Sequence, residues 1–570
     1  MKTIAVNAAV IVWVSLLLFA PAIVWCSYRR PTPMTFAAGG GTTLALVSLV
    51  TYVAGLNGIG SLIPLRICAI VLGLLLAWAV VNGAIRIARQ WPSGSRPSRA
   101  PSPDWATLPL GLFLGVWVLV SPLKAIGRQG LTFGLASLGN PDIANYTLAS
   151  QNTALSGFTD SHHLANLNLG SWSRDESYIG ASALINFVSA ATGLSPLQAT
   201  FATMGVAVCL LAVGLWALGR TIWPSSPFAV GASVVVACLC GMSAYIDAQF
   251  FLGSVLGLTG VAIALAGATA LAKEPNRQAM LAVAGGGAAG IYCYAHLGLP
   301  LVVLLPFWAV FAAFVGGQRG ARRLFAVVAR SVVAVIGALA LAAVALNEAF
   351  NLIRVTSKIE AGYPLPVPTS VATFVWPTGI GPDPSRGAVV ASWLFVFVAI
   401  AVALAAAWRR GLHGPVRIAA ILTLACVTLT IIFGGIYGPD RYQSWKIGAF
   451  LLPLAVVVAL PAVGATATGI SRIGRPMLGA AIGAVLLCPI LVWSPSLHPV
   501  NPGKITTSQL IALGRSPALA GVASVNIRLP SPLQTMAAGA SISRSSVIFT
   551  QNSYYSPVVS LNTCTVTILE

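Results

Sequence analysis

Acids are scarce in this chain: only 12 of its 570 residues are Asp or Glu. One of them, Asp142, stands in GNPDIANYTLASQ, Gly139 to Gln151, just where a hydrophobic run has ended, with Tyr146 four residues on. A carboxylate beside an acceptor hydroxyl can take its proton as that hydroxyl attacks. Ile143, Tyr146 and Leu148 predict a partly apolar helix starting near Pro141. Asp142 would then lie in its first turn, with Tyr146 one turn on, on the same face. The plainer alternative is an acid stabilised by the positive end of a helix. A second stretch, YGPDRYQSWK, Tyr437 to Lys446, gathers Asp440, Arg441, Tyr442, Gln443, Trp445 and Lys446 between two apolar runs. Lys and Arg at headgroup level can grip a phosphate. Tyr, Trp and Lys there also serve as interfacial anchors, although anchoring does not require so dense a polar and aromatic run.

Other candidates carry weaker chemistry. Asp247, in YIDAQFFL, reads as a second acid, a metal ligand or a solvated turn residue. His296, in YCYAHLGLP, lies at a helix end beside Tyr292 and Tyr294. Arg174, Asp175 and Glu176 in SWSRDESY read as a surface charge cluster, and His162 and His163 lack a metal-ligand pattern. The nine cysteines form neither a disulfide framework nor a zinc spacing. No P-loop, dinucleotide fingerprint, GxSxG or zincin motif is found.

The elements that must position these residues are membrane helices. Hydrophobic residues make up 57% of the chain and charged residues 8%, against about 25% charged in a soluble domain. The net charge of +20 is spread over short loops, which argues against nucleic acid as a partner. Apolar runs long enough to cross a bilayer fall at 4–26, 34–56, 67–86, 107–124, 196–219, 227–246, 253–272, 279–297, 299–317, 324–347, 389–408, 417–436, 447–465 and 476–494. The first ends in CSYRRP and reads as a retained helix rather than a signal peptide. Arg29/Arg30, Arg86/Arg89/Arg96/Arg99, Arg220, Lys273/Arg277, Arg319/Arg322/Arg323, Arg409/Arg410/Arg417 and Arg472/Arg475 occupy alternate loops, which the positive-inside rule makes cytoplasmic. Both termini are then expected outside. All acids but Asp104 and Glu274 also fall outside, and none needs to sit at mid-membrane, which weighs against an ion-coupled transporter.

The expected fold class is an all-α polytopic membrane protein with about 14 transmembrane helices and a small extracytoplasmic α/β C-terminal domain. Residues 1–104 hold three leading helices and a cytoplasmic Pro/Ser linker, and 105–494 the transmembrane core, with outer loops 124–196 and 348–387. In the tail, 495–570, VASVNIRL, PLQTMAAGA, SVIFTQ and TCTVTIL read as strand, helix, strand and strand. Within the first outer loop, Ser177 to Pro196 reads as a helix lying along the membrane surface.

DIANY followed by ALSGF, the long loop after the fourth span, the surface-helix candidate ending GLSP, and DRYQSWK before a late helix together resemble the GT-C superfamily of integral membrane glycosyltransferases. The likeness covers roughly residues 105 to 570 and is one of pattern. It implies a plasma-membrane enzyme of the cell envelope, with its active site on the extracytoplasmic face. Such an enzyme moves a sugar from a polyprenyl-phosphate carrier to a glycan, lipid or protein acceptor. On that basis Asp142 matches the base or acceptor-orienting acid, and Arg441 and Lys446 match cations near the donor phosphate. Tyr146, Asp247, His296 and Tyr442 are further substrate-binding candidates. The chain departs from the pattern in two ways: three helices precede the core, and the acid in NPDIA stands alone. No cofactor is assigned; a divalent metal stays open, though a lone carboxylate is a poor site for one. The alternatives are a polysaccharide polymerase or ligase, and a lipid or polysaccharide transporter.

Overall fold

The structure is a computed structural model. It describes residues 2–29, 31–90, 103–119, 142–158, 179–239, 252–274, 276–318, 320–358, 398, 401–402, 404–437, 442–462, 516–517, 524–527, 546–549 and 566–568. The chain is a multi-pass, α-helical membrane protein. Seven described helices are long and apolar enough to cross a membrane, and a bent pair would make an eighth. The expected spans at 389–408 and 476–494 lie largely or wholly outside the described residues.

The first apolar run, expected as one span, is that bent pair: α1 (Lys2–Leu18) and α2 (Ala20–Tyr28), meeting at 58°. Pro21, in the first turn of α2, lacks the N–H that would continue the helix across the break. α3 (Pro33–Leu56) starts in a capping box, Thr32 with Thr35, and has Pro33 in its first turn. α4 (Leu62–Gln90) and α5 (Thr107–Trp117) follow, then α6 (Asp142–Ser156) and α7 (Ile179–Thr192). α8 (Pro196–Ile222) repeats the capping box with Ser195 and Gln198. The bundle continues with α9 (Pro227–Leu239), α10 (Leu252–Leu271), α11 (Arg277–Cys293), α12 (Ala295–Val315), α13 (Ala321–Leu341), α14 (Leu346–Lys358), α15 (His413–Tyr437) and α16 (Tyr442–Ala459).

Burial sorts these helices into centre and perimeter. The apolar window of α8 is 100% buried and that of α10 94%, against 17% for α4 and 28% for α13. On α4, Ile63, Ile67, Ile70 and Leu74 are exposed along one face, as a lipid-facing helix requires. Small residues bring the central helices together, as is usual where water does not drive helix association. A Cβ on Gly260 of α10 would meet the backbone nitrogen of Gly290 of α11 at 2.5 Å. One on Gly41 of α3 would meet the nitrogen of Gly286, also of α11, at 3.2 Å. The leading helices therefore share one core with the later ones.

Contacts between loops sort the ends as the charge pattern requires. At one end, here the basic end, Arg220 Nε donates to Asp104 Oδ1 at 2.9 Å, with both side chains mostly buried. Lys273 Nζ donates to the Thr221 carbonyl, and burial pulls its ammonium below the usual lysine range. Gln318 Nε2 reaches the Lys273 carbonyl at 2.9 Å, and Thr32 Oγ1 reaches Gln278 Oε1 at 3.1 Å. At the opposite end Asn186 Nδ2 donates to Ser61 Oγ at 3.0 Å, and Tyr292 Oη to the Leu341 carbonyl at 2.9 Å. If the basic end faces the cytoplasm, an impermeant thiol reagent on intact cells should label Asn57→Cys. It should reach Ser225→Cys only after permeabilisation. The reverse result would invert the orientation.

The structure corrects the reading of Ser177 to Pro196. α7 does not lie open along the membrane surface, because residues 179–189 are buried on every side. It packs against α3, α4, α6 and α8. Its apolar run is short for a span, but its Asn186 Nδ2 donates to Ser61 and Thr153 and its Ser189 Oγ to the Leu194 carbonyl, inside the protein. In the tail, β1 (Ser524–Ile527), β2 (Ser546–Phe549) and β3 (Val566–Ile568) pair in parallel in the order β2-β1-β3. The helix expected at PLQTMAAGA lies outside the described residues.

Candidate functional site

Asp142, Tyr146, His296, Tyr442 and Lys446 fall on three elements at the end opposite the basic one. The first is α6, which begins at Asp142. Its inward face is small and polar: Tyr146, Thr147, Ala149, Ser150, Asn152, Thr153 and Ala154 are all buried. Hydrogen bonds hold that face in one geometry. Thr147 Oγ1 lies 3.0 Å from Thr200 Oγ1 of α8. Asn186 Nδ2 of α7 reaches Thr153 Oγ1 at 2.9 Å as well as Ser61 Oγ at 3.0 Å, tying α6, α7 and the α3–α4 turn to one amide. The Ser61 backbone N–H donates to the Thr153 carbonyl at 2.9 Å. Gly157, with φ of 62°, ends the helix in a left-handed turn, and Asn152 Nδ2 donates to its carbonyl at 3.1 Å. Tyr146 is 6% exposed. It is therefore part of the anchoring face, and Asp142 occupies the helical position one turn before it.

The second element is the start of α12. His296 is half-buried there, its ring centroid 5.5 Å from that of Tyr294. Tyr294 in turn stacks on Phe450 of α16 at 4.8 Å and 28°. Phe450 is the third element's contribution, and Lys446 lies one helical turn before it in α16. The structure thus brings His296 and the DRYQSWK helix together through an aromatic pair. α7 links this rim to α6: a Cβ on Gly180 would meet the Cys293 Cα at 3.1 Å, next to Tyr294. Tyr52 continues the buried aromatic cluster, its ring 6.3 Å from Tyr292 and 5.2 Å from Phe158, just past the end of α6.

Asp247 and Arg441 lie outside the described residues, as do Asp175, Glu176, His162 and His163. The same holds for the side chains of Asp142, Tyr442 and Lys446, whose helical positions alone are described. Among the described residues no group of three or more His, Cys, Asp or Glu is placed to hold a metal ion. Two residues that sequence reasoning passed over take part. Asn186 organises the polar seam, and the signal was an amide inside the apolar run ALINFV. Phe450 completes the stack on Tyr294, which nothing in its own segment marks.

The arrangement sets a half-buried imidazole against a buried aromatic pair, Tyr294 and Phe450, at the end of the bundle where the acid-bearing helix begins. No family model matches the chain, and no curated protein matches it.

Proposed function

We propose that the protein is a membrane glycosyltransferase of GT-C type, moving a sugar from a polyprenyl-phosphate carrier to a hydroxyl of a glycan, lipid or protein acceptor. Its active site is the end of the bundle opposite the basic one, on the extracytoplasmic side of the plasma membrane. The observation that carries the reading is the anchoring of α6. A helix whose first residue is Asp142 is held by Thr147, Thr153 and Asn186, and α7 joins it to the Tyr294–Phe450 rim one turn from Lys446. An acid needs such a rigid seat to meet an acceptor hydroxyl in one geometry.

In this reading Asp142 takes the acceptor proton, and Lys446 and Arg441 hold the donor phosphate as its charge grows. Asp247 is a second acid on a neighbouring loop. The chain has about 14 spans, and 495–570 forms a small extracytoplasmic α/β domain. That last assignment draws support from the parallel pairing of β1 with β2 and β3, which requires crossover connections such as 528–545 and 550–565 can supply.

The direct test uses the purified chain in lipid, polyprenyl-phosphate-linked hexoses and pentoses carrying a radiolabel, and a cell-envelope extract as the acceptor pool. Label should move from the lipid phase into extract glycans, lipids or proteins. Label retained on the lipid with every donor would rule out the transferase reading.

A further inference from the structure

The basic end of the bundle holds an arginine that the proposed chemistry leaves unused. Arg330 lies well inside α13, within the apolar run LFAVVARSVVAV. An arginine within a span is costly unless it is paired or led to the headgroups. No carboxylate pairs with it among the described residues.

Packing brings other cations to it instead. α11 and α13 pack together, and both run away from the basic end. A Cβ on Gly337 of α13 would meet the Ala284 Cβ of α11 at 3.3 Å, and one on Gly287 of α11 would meet the Ala338 Cβ of α13 at 3.0 Å. Arg330 precedes Gly337 by seven residues, and Arg277 precedes Ala284 by seven. Seven residues make two turns, so each arginine lies on the face of its helix that makes the contact, about 10 Å nearer the basic end. The two are therefore level, with Arg277 exposed and Arg330 half-buried. Arg323, two turns before Arg330, adds a third cation on that face of α13. Glu274, three residues before Arg277, pairs with none of them.

Beside these arginines α11 floors a groove. On one side Ala284 meets α13. On the other, a Cβ on Gly285 would meet the Thr42 nitrogen of α3 at 2.6 Å. Leu281 lies between those two contacts on the helix surface and is 52% exposed. The bond from Thr32 to Gln278 keeps the start of α3 beside the groove as far as Arg277. Val333 is exposed on α13, one turn from Arg330. An apolar floor that ends at arginines without an acid is complementary to a phosphate carrying acyl chains.

We propose that this groove binds an anionic phospholipid of the leaflet at the basic end. Arg277 and Arg330 hold its phosphate, and an acyl chain lies over Leu281 and Val333. The donor phosphate of the transferase reading belongs to the opposite end of the bundle, so this site is separate and stands without that reading.

The test uses the purified chain in a non-ionic detergent, titrated with dioleoylphosphatidylglycerol or dioleoylphosphatidylcholine. Native mass spectrometry reads the fraction of protein that carries one lipid. The parent should hold phosphatidylglycerol at least about fivefold more tightly than phosphatidylcholine, the difference expected of one charge-assisted contact. Arg277→Gln and Arg330→Gln should each weaken phosphatidylglycerol binding roughly five- to tenfold and leave phosphatidylcholine within about twofold. Arg330→Lys keeps the charge with fewer donors and should fall between parent and Arg330→Gln. Arg417→Gln removes a cation from α15, which packs mainly on α16, and should bind as the parent does. Because Arg277 is exposed, Arg277→Gln should unfold at the parent's temperature, so its loss of binding is not a loss of fold. Equal affinity of the parent for the two lipids would overturn the proposal. So would unchanged phosphatidylglycerol binding by both Gln variants, or an equal loss in Arg417→Gln.

Discussion

Asp142→Asn should lower the rate of sugar transfer roughly 10²- to 10⁴-fold while leaving the fold intact, the usual span for loss of a positioned general base. The substitution separates the two readings of this acid. Asn caps a helix about as well as Asp, so a carboxylate that only terminates α6 would be replaced at a cost of about 0.3–1 kcal/mol of dipole interaction. α6 does not depend on its first residue for its place. Thr147 bonds to Thr200, and Thr153 bonds to Asn186, both further along the helix. Purified parent and variant should therefore show matching thermal unfolding and very different turnover. Transfer by Asp142→Asn at close to the parent rate would reduce Asp142 to a helix cap.

The second large effect concerns the donor. Lys446 lies one turn before Phe450, which stacks on Tyr294, so α16 enters the rim at the level where its sequence turns from polar to apolar. A lysine there can run its methylenes along hydrocarbon and keep its ammonium at the headgroups. Arg441 precedes it by five residues, after the turn-forming Gly438 and Pro439. A phosphate gripped in such a partly dehydrated place gains more from charge-assisted bonds than it would in water. Lys446→Gln and Arg441→Gln should each weaken donor binding by about 1.5–3 kcal/mol, roughly ten- to 150-fold at 1.4 kcal/mol per decade. The acceptor constant should change less. Lys504→Gln, in the tail, is the control and should bind a polyprenyl-phosphate as the parent does. If Lys446→Gln also binds it normally, the DRYQSWK segment is a membrane anchor. The donor site should then be sought at Arg354, exposed on α14, and Lys358.

Several features were readable before any coordinates. The apolar run of each long helix could be located because hydrocarbon thickness sets its length and every backbone group must bond within it. Thr32-Pro33 and Ser195-Pro196 mark helix starts by local chemistry alone, and both caps form. The charge pattern paired the ends correctly, since the loops it grouped meet in the Asp104–Arg220, Lys273–Thr221 and Gln318–Lys273 contacts. The first run was harder: Pro21 was visible, but whether a proline kinks or breaks a helix depends on what packs beside it. α7 was misjudged for a related reason. An apolar run too short to span suits a helix at the membrane surface or one buried among other helices, and the segment holds no information about its partners.

For the candidate site the division is the same. Asp142, His296 and Lys446 were picked from residue type and position relative to apolar runs, both properties of short stretches of chain. That Tyr294 joins His296 to Phe450, and that Asn186 binds Ser61 and Thr153 across long sequence separations, emerged only from packing. Composition, span length and the distribution of charge are sums over neighbouring residues, so the sequence alone could determine a multi-pass helical protein with a basic end and an acid-bearing one. Which helix faces which is decided by close approach of small residues such as Gly260 to Gly290 and Gly41 to Gly286. Those fits exist only once segments far apart in the chain compete for the same space.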